Sequence, residues 1–490
     1  MRKQQGGPML ARCFLSLMAL VCLSLAAPAA QAPNRTQAPK PGPPPVLKLP
    51  EVQKRALGNG VPVRIVEMHE VPVVQVSLVV TAGGGTADPD GKEGVASMTA
   101  AMLDEGAGGR TALEIADAIE HLGASLSTTS SFDASAVRLW VPVARLAEAL
   151  PVMADVALRP TFDPQELERL RKERLTAMLQ ARDDPPSIAS LALPRIVFGG
   201  HRYGTSLNGT PETVGAMNQA DLTSFYRSHY RPDRSTLIVV GDVRADAVLA
   251  EMEKAFGGWK AEGTAPPEAT LPMAAQLAKR QVHLIDKPGA AQSVISIGGV
   301  GVPRSTPDYF ALQVLNTVLG GSFTSRLNYN LREQHGYTYG ARSGFAMRRS
   351  AGPFSASAAV QTEVTGPALT EFFKELNGIL QSVPPEELQR AKNYLALQFP
   401  GEFETTGEIS ANLEEAVVYN LPEDYFSNYI GRIQAVTAED VKRAADRYIL
   451  PGRFAVVVVG DRKMVEAQVR ALNLGPVNVL SVDQALGPAK

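Results

Sequence analysis

The sequence has few of the residues on which many catalytic and metal sites depend. It contains only two cysteines, Cys13 and Cys22, and both lie inside a predicted export signal. The rest of the chain therefore offers no disulfide, no cysteine-ligated zinc and no thiol nucleophile. Its 48 lysines and arginines nearly balance 50 aspartates and glutamates, giving a formal net charge of -2. Without long runs of one sign, this balance gives no electrostatic support for nucleic-acid binding.

Histidine is also scarce. The six histidines are His69, His121, His201, His229, His283 and His335. No two of them lie three to five residues apart, so no helical face or short loop can supply a pair of imidazoles to a metal. We expect each histidine to be an ordinary surface or hydrogen-bonded residue.

The first 50 residues have the features of an export signal and a tether. A basic start precedes an apolar run, 13–27, and small residues follow, with Ala27-Pro28-Ala29 as a cleavage site. The run is shorter than the ~20 apolar residues of a membrane span. We predict a signal peptide over 1–29, export to the periplasm, no membrane span after cleavage, and a proline-rich tether over 30–50. A retained anchor or a lipid on Cys22 is the alternative.

An internal repeat organises the rest of the chain. The stretch 218–232 precedes an apolar strand that ends in Gly241-Asp242, and the stretch 437–451 precedes a strand that ends in Gly460-Asp461. Each copy begins with a helix N-cap residue followed three positions later by an acid, and ends in a proline that stops the helix. The repeat predicts two homologous domains, 51–256 and 279–475, joined by a linker, 257–278, and followed by a tail, 476–490.

The pattern within each half predicts the fold class. β-Branched strands come in groups rather than in strict alternation with the Ala/Leu/Glu-rich helices, which favours an α+β fold with helices packed on a sheet. Strands are predicted near 61–66, 71–80, 134–141, 235–240, 281–286, 293–299, 338–345, 353–360 and 454–459.

The segment 319–340 holds the densest set of hydrogen-bonding side chains. A diglycine ends an apolar helix, and a second helix is predicted from about Thr324 to Gly336, carrying Arg326 and Arg332. A strand with Tyr337 and Tyr339 follows. Taken alone, an arginine near a helix C-terminus and a tyrosine at a strand start favour structural roles.

Together, the repeat, the helix between Gly94 and Gly106, the strands ending in Val-Gly-Asp and the segment 331–339 resemble the pitrilysin/insulinase family of metallopeptidases. The likeness is greatest to its short-chain bacterial branch, related to mitochondrial processing peptidase, and covers about 47–473. It implies two domains, each a mainly antiparallel sheet packed with helices. The two domains would form half of a clamshell around a chamber for unfolded peptide.

The resemblance also locates the family's zinc motif, which is degenerate here. The family pattern is H-x-x-E-H on the first long helix, with a further glutamate ligand on a later helix. Ser97 and Ala101 occupy the histidine positions, Ala100 the catalytic glutamate position, and Ala177 falls near the later ligand. Glu173 is the nearest carboxylate, but one carboxylate without imidazoles does not hold catalytic zinc. We expect no cofactor in this chain and no peptide hydrolysis by the chain alone.

The second half keeps more of the family pattern. In the family, this half or a partner subunit supplies an arginine and a tyrosine to the zinc site, and Arg332 and Tyr339 match that spacing. The tyrosine hydroxyl can donate to an oxyanion, and the arginine can hold a carbonyl. Strand alternation puts Tyr337 and Tyr339 on one face, so only spacing favours Tyr339. Arg326 is expected to face another side and to be structural.

These features predict a zinc-less subunit of an exported heterodimeric metalloendopeptidase. Its partner would be a homologous chain that carries H-x-x-E-H and the zinc, and its substrate a peptide or unfolded protein. Arg332 and Tyr339 would act in trans. The alternatives are a scaffold or binding protein of the same fold without a catalytic contribution and, less favoured, a self-sufficient zinc peptidase with an unrecognised site.

Overall fold

A computed structural model describes residue 42 and residues 49–489 of the chain. The predicted signal peptide and nearly all of the predicted tether lie outside the described residues. Within the described part, no helix combines the length and the apolar character needed to cross a membrane.

The N-terminal half contains one large sheet and a two-stranded hairpin. Its strands are β1 (Gln53–Ala56), β2 (Pro62–Glu67), β3 (Val73–Val80), β4 (Gly106–Ala107), β5 (Arg110–Thr111), β6 (Ser125–Ser130), β7 (Ser135–Pro142) and β8 (Ser235–Gly241). Its helices are α1 (Val95–Ala101), α2 (Ala112–His121), α3 (Leu146–Leu158), α4 (Pro164–Ala181), α5 (Pro185–Phe198), α6 (Pro211–Ala216), α7 (Gln219–His229) and α8 (Ala245–Phe256). The large sheet has the order β1-β2-β8-β3-β7-β6, and only the β2–β8 pair is parallel.

The C-terminal half repeats this plan. Its strands are β9 (Gln281–Asp286), β10 (Gln292–Val300), β11 (Thr338–Phe345), β12 (Pro353–Gln361), β13 (Ala455–Gly460) and β14 (Val477–Leu480). Its helices are α9 (Tyr309–Leu319), α10 (Arg326–Asn328), α11 (Thr365–Gly378), α12 (Pro385–Gln398), α13 (Thr406–Val418), α14 (Tyr425–Ala435), α15 (Ala438–Tyr448), α16 (Arg462–Ala471) and α17 (Val482–Leu486). The sheet order is β11-β12-β10-β13-β9-β14, with β9 parallel to β13 and β14.

The internal repeat and the α+β fold class are confirmed. Helices α7 and α15 begin at equivalent positions, and each has the predicted capping box, with Asn218 and Asp221 in one copy and Thr437 and Asp440 in the other. Each helix leads into a strand that is buried along its whole length, β8 or β13. The apolar runs read in the sequence are therefore the centres of the two sheets.

The halves exchange equivalent helices. Helix α5 of the first half packs on β10 and β13 of the second, while α13 of the second half packs on β3 and β8 of the first. Ile188 thereby joins a buried cluster with Val457, and Ile409 joins one with Val240. Because each sheet is covered by a helix from the other half, the two halves share their cores.

The predicted linker and tail are both attached to this structure. Residues 257–280 form neither helix nor strand, but Gln276 exchanges hydrogen bonds with the backbone of Val300. Beyond residue 475, β14 extends the second sheet and α17 packs on α5. The second sheet thus continues past the predicted C-terminal bound of its domain.

Candidate functional site

The helix that carries the degenerate zinc positions begins in a tightly held turn. Gly94, its N-cap, has φ +98°, and an added Cβ would lie 2.7 Å from the carbonyl oxygen of Asn208. The carboxylate of Asp88 accepts hydrogen bonds from the Gly94 and Ala96 N–H groups, both at 2.7 Å. These contacts fix the start of α1.

Asp88 is itself paired with an arginine. The Arg202 guanidinium donates to Asp88 Oδ2 at 2.6 Å and also bonds the carbonyl oxygen of Gly85 at 2.8 Å. Burial raises the pKa of Asp88, while the Arg202 charge and the two backbone hydrogen bonds oppose that rise. Arg202 therefore balances the charge of Asp88 at the N-terminus of α1.

A second arginine reaches the first histidine position of the zinc motif. Arg174, on α4, donates from Nη1 to Ser97 Oγ at 2.9 Å. The Ser97 hydroxyl also donates to Gly94 O at 3.1 Å, so it acts both as a hydrogen-bond acceptor and as a donor. Ala177 lies one turn further along α4 and is exposed. Glu173 is also exposed and approaches Arg169 at 3.5 Å.

These residues do not fit a zinc ion. Three of the four motif positions (Ala100, Ala101 and Ala177) carry no donor atom, and the fourth, Ser97, is bound by a guanidinium. Within the described residues, no group of three histidine, cysteine or acidic side chains could hold a metal. A positively charged group beside the motif also opposes cation binding.

The other predicted site lies where the helical segment 326–334 leads into β11. The helix predicted from Thr324 begins at Arg326 and continues as a π-helix, Tyr329–Gln334, a form that is frequent at functional sites. Gly336 then takes φ +64° and turns the chain into β11. At the diglycine, an added Cβ on Gly320 would lie 2.5 Å from Ser343 Oγ, so glycine allows the end of α9 to approach the strand.

Arg332 and Tyr339, which the sequence paired by spacing, are in contact. The Arg332 guanidinium carbon lies 4.9 Å from the centroid of the Tyr339 ring and 4.7 Å from that of Phe323. Its Nε also approaches Glu333 Oε1 at 3.3 Å. Tyr339 is 90% exposed, and its hydroxyl has no hydrogen-bond partner among the described residues. The arrangement presents a cation and a free hydroxyl on one surface.

Tyr337 and Tyr339 lie in different environments, which corrects the expectation from strand alternation. The register of β11 against β12 shifts between Thr338 and Ala341, inserting an extra residue. Tyr337 packs on the core of the second half and stacks on His335, with ring centroids 4.9 Å apart. A bulge breaks the two-residue period of side-chain direction, which is why the expectation fails.

Arg326 has the structural role that was predicted for it. Its Nε and Nη2 donate to the two carboxylate oxygens of Glu387 on α12, at 2.9 and 2.6 Å. Burial opposes but does not outweigh this pairing, and the pKa of Arg326 is raised, first by the hydrogen bonds to Glu387. The side chain ties α10 to α12.

Sequence reasoning missed two participants. Phe323 lies nine residues before Arg332, a separation that gives no sequence signal of the ring contact. Arg174 is three residues before Ala177, a helical spacing that puts both residues on the same side of α4 and could have pointed to it. No described hydrogen bond, ion pair or ring contact joins Arg332 or Tyr339 to Ser97 or Arg174.

Known proteins resemble the chain along most of its length. The sequence is 27% identical over 425 residues to an uncharacterized zinc protease of Mycobacterium leprae, covering 84% of this chain and 93% of that one. It is 22% identical to a probable β subunit of mitochondrial processing peptidase from Arabidopsis thaliana, covering 85% and 79%. Among solved structures, a peptidase M16 inactive domain from Pseudomonas fluorescens matches with a TM-score of 0.77 and 28% identity, covering 84% and 98%.

Two family profiles match adjoining parts of the sequence. The profile of insulinase (peptidase family M16) matches residues 63–211, and that of the peptidase M16 inactive domain matches residues 216–395. The matches together span more than half of the chain and include α1, Arg332 and Tyr339. The chain belongs to the insulinase family of peptidases, peptidase family M16.

Proposed function

We propose that this chain is the zinc-free subunit of an exported heterodimeric metalloendopeptidase. A homologous partner would carry an intact H-x-x-E-H motif, and the two chains would enclose an unfolded peptide. This chain would close the chamber and supply Arg332 and Tyr339 to the partner's site. The observation that carries the proposal is the contact of Arg332 with Tyr339 on an exposed surface, in a chain whose own motif positions do not fit zinc.

The two side chains suit stabilisation of developing charge. The Tyr339 hydroxyl would donate to the oxygen that becomes negative when a peptide carbonyl is attacked. Arg332 would bond the same or a neighbouring carbonyl through its guanidinium while its face stays against the two rings. The partner's zinc would supply the activated water.

The exposed rings also favour a covered state. Phe323 is 61% exposed and Tyr339 is 90% exposed. Burying an aromatic ring contributes a large favourable free energy, which these two rings would gain on contact with a partner or substrate. A surface that holds two such rings around an arginine has the composition of an interface or substrate site. The peptidase name of the M. leprae relative and the inactive-domain name of the P. fluorescens structure are consistent with a family that contains both kinds of chain.

The decisive experiment is co-expression with a homologous chain that has the intact motif. The complex should cleave an unfolded peptide, whereas this chain alone should not cleave it and should bind no stoichiometric zinc. Arg332→Ala and Tyr339→Phe should each lower kcat of the complex by about 100-fold or more, the effect of removing one oxyanion donor. Both variants should leave assembly unchanged by size-exclusion chromatography.

Tyr329→Phe is the matched control. Tyr329 lies in the same segment and is also exposed, but no described contact joins it to Arg332. If both site variants run at the wild-type rate within an intact complex, the chain is a scaffold without a catalytic contribution. If the isolated chain binds one zinc and cleaves peptide, it is a self-sufficient peptidase.

Export is a separate part of the proposal. The apolar run 13–27 and the small residues after it support a cleaved signal. Mass spectrometry of the chain recovered from the periplasmic fraction should find a new N-terminus close to residue 30. Recovery of the uncleaved chain from the cytosol would contradict export.

A further inference from the structure

A pocket of ≈ 320 Å³ opens beside the degenerate zinc positions. Helices α4 and α5 and the loop 204–211 form its walls, and Ala177 and Leu486 line it. Among the described residues, its charged lining consists of three arginines, Arg174, Arg182 and Arg195, and no acidic side chain lines it. The remaining polar lining consists of neutral side chains such as Ser187 and Asn208. The side chains that line the pocket therefore carry a net positive charge.

Two of these arginines are held by the C-terminal segment. Arg182 pairs with Asp483 and donates to the carbonyl oxygen of Gly487 at 2.9 Å. Arg195 donates to the carbonyl oxygen of Leu486 at 2.9 Å. Both form part of the wall of the pocket.

Arg174 is not held in this way. Its Nη1 donates to Ser97 Oγ at 2.9 Å and to Gly94 O at 3.5 Å. Its Nε and Nη2 have no acceptor among the described residues, and neither atom is sealed from solvent. No described carboxylate forms an ion pair with Arg174, and the acid whose charge acts on its pKa, Asp88, is already paired with Arg202.

The cost of this arrangement is the reason to expect a ligand. Burial lowers the pKa of Arg174, but a guanidinium remains charged at any physiological pH. Arg174 is half-buried, and a charge that is partly removed from water and has no ion-pair partner gains from an anion that reaches it. The free Nε and Nη2 form one edge with two parallel N–H groups, which matches the two oxygens of a carboxylate.

We propose that this pocket, beside the degenerate zinc positions, binds a peptide carboxylate through the free edge of Arg174. The carboxylate would be either a C-terminal group or an aspartate or glutamate side chain of the bound peptide. The inference goes beyond the proposed function because it concerns this chain alone and needs neither a partner nor zinc.

Calorimetry on the isolated chain tests the proposal with two pairs of peptides. The first pair is acetyl-Ala-Ala-Ser-Ala-Ala with a free C-terminus or a C-terminal amide. The second is acetyl-Ala-Ala-Glu-Ala-Ala amide or its glutamine counterpart. In at least one pair the carboxylate should bind about tenfold or more tightly than its neutral match, as expected for a charge-assisted bidentate contact. The pair that discriminates identifies the source of the carboxylate.

Two variants assign the effect to Arg174. Arg174→Gln should abolish the preference, whereas Lys172→Gln should keep it, because Lys172 is an exposed cation on the same helix. Arg174→Lys keeps the charge but lacks the two parallel N–H groups, so it should reduce the preference. This variant provides a second test if Arg174→Gln does not fold.

Equal binding of both members of both pairs by the wild-type chain would overturn the proposal, and this result requires no variant. An undiminished preference in Arg174→Gln would also overturn it. So would competition by inorganic phosphate that is stronger than binding of either carboxylate peptide. None of these results bears on whether Arg332 and Tyr339 act on a partner, so the two proposals fail separately.

Discussion

The guanidinium carbon of Arg332 lies 4.9 Å from the centroid of the Tyr339 ring, across the turn that links a π-helix to β11. Phe323 contacts the same guanidinium, at 4.7 Å. Stacking of an arginine on aromatic faces leaves the N–H groups at its edge free to donate. The rings thus orient the cation without using the groups that would bind a substrate.

Phe323→Ala should therefore have a smaller effect than Arg332→Ala. A cation–π contact at an exposed site contributes about 0.5–1 kcal/mol, so kcat of the proposed complex should fall about two- to fivefold. Steady-state kinetics on an unfolded peptide would measure this, with Tyr329→Ala as the control for loss of an exposed ring. A loss as large as that of Arg332→Ala would contradict an orienting role and indicate that Phe323 contacts substrate.

The central strands could be read from the sequence because they are buried on both faces. Residues 281–286 form a strand with the predicted bounds, and the predicted repeat reappears as the pair β8 and β13. Continuous runs of β-branched residues have few alternatives to a buried strand. The edge strands β1 and β6 are short or rich in serine and threonine, and they carry no comparable signal.

Features that depend on distant parts of the chain could not be read. The sequences of α5 and α13 show that each helix has residues to bury. They do not show that each helix covers the sheet of the other half. The bulge in β11 depends on its register with β12. The contact of Arg174 with Ser97 joins two helices, and only the spacing of Arg174 from Ala177 pointed to it.

Glu414→Ala should destabilise both halves together. Glu414 lies on α13 of the second half, and Arg138 lies on β7 of the first. Arg138 Nε donates to Glu414 Oε1 at 2.8 Å and to Oε2 at 3.1 Å. Removing one partner of a largely buried ion pair leaves an uncompensated charge, which should lower the free energy of unfolding by roughly 3 kcal/mol. Urea unfolding followed by circular dichroism would measure the loss, and a single transition is expected because the halves share their cores.

The control for this loss is Glu148→Ala. Glu148 pairs with Arg145 on the surface at 2.8 Å, where both side chains are exposed. Such pairs contribute at most about 1 kcal/mol. Equal effects of the two substitutions, or two separate transitions in the wild-type chain, would contradict the account of a shared core.

His229 should make stability depend on pH. Burial, followed by the charge of Arg234, lowers the pKa of His229 to about 4, and its Nδ1 is buried without a hydrogen-bond partner among the described residues. In the unfolded state His229 has a pKa of about 6.5 and binds the proton more readily. Its contribution to the free energy of unfolding is therefore fully present above pH 6.5. It is lost as pH falls towards 4, and amounts to up to about 2 kcal/mol between pH 7.5 and 5.0.

His229→Gln should remove that part of the pH dependence. Urea midpoints of the wild type and the variant, measured at pH 7.5 and 5.0, give the difference directly. His121→Gln, at an exposed position at the end of α2, should keep the wild-type dependence. An identical fall in stability for His229→Gln and the wild type would show that the pKa of His229 does not differ between the folded and unfolded states, and would contradict this prediction.

The diglycine that ends α9 should tolerate no side chain at its first position. An added Cβ on Gly320 would meet the backbone nitrogen of Ser343 and lie 2.5 Å from its Oγ, and Ser343 is fixed on β11. Its N–H donates to Gly320 O at 3.1 Å, and its hydroxyl bonds Asn316 Oδ1 at 2.8 Å. Either the helix end or the strand must move, and overpacking of this kind typically costs about 1–3 kcal/mol.

Gly340→Ala is the matched substitution on the same strand. The nearest atom to an added Cβ at Gly340 is Asn328 Oδ1 at 3.7 Å, an ordinary contact. Gly320→Ala should therefore lower the free energy of unfolding measured with urea. Gly340→Ala should leave that free energy within about 0.5 kcal/mol of the wild-type value. In the proposed complex, Gly320→Ala should also lower kcat, because a shift of β11 moves Tyr339 away from Arg332. Equal stability of the two variants would mean that α9 and β11 can separate without cost, and that their approach does not position the Arg332–Tyr339 pair.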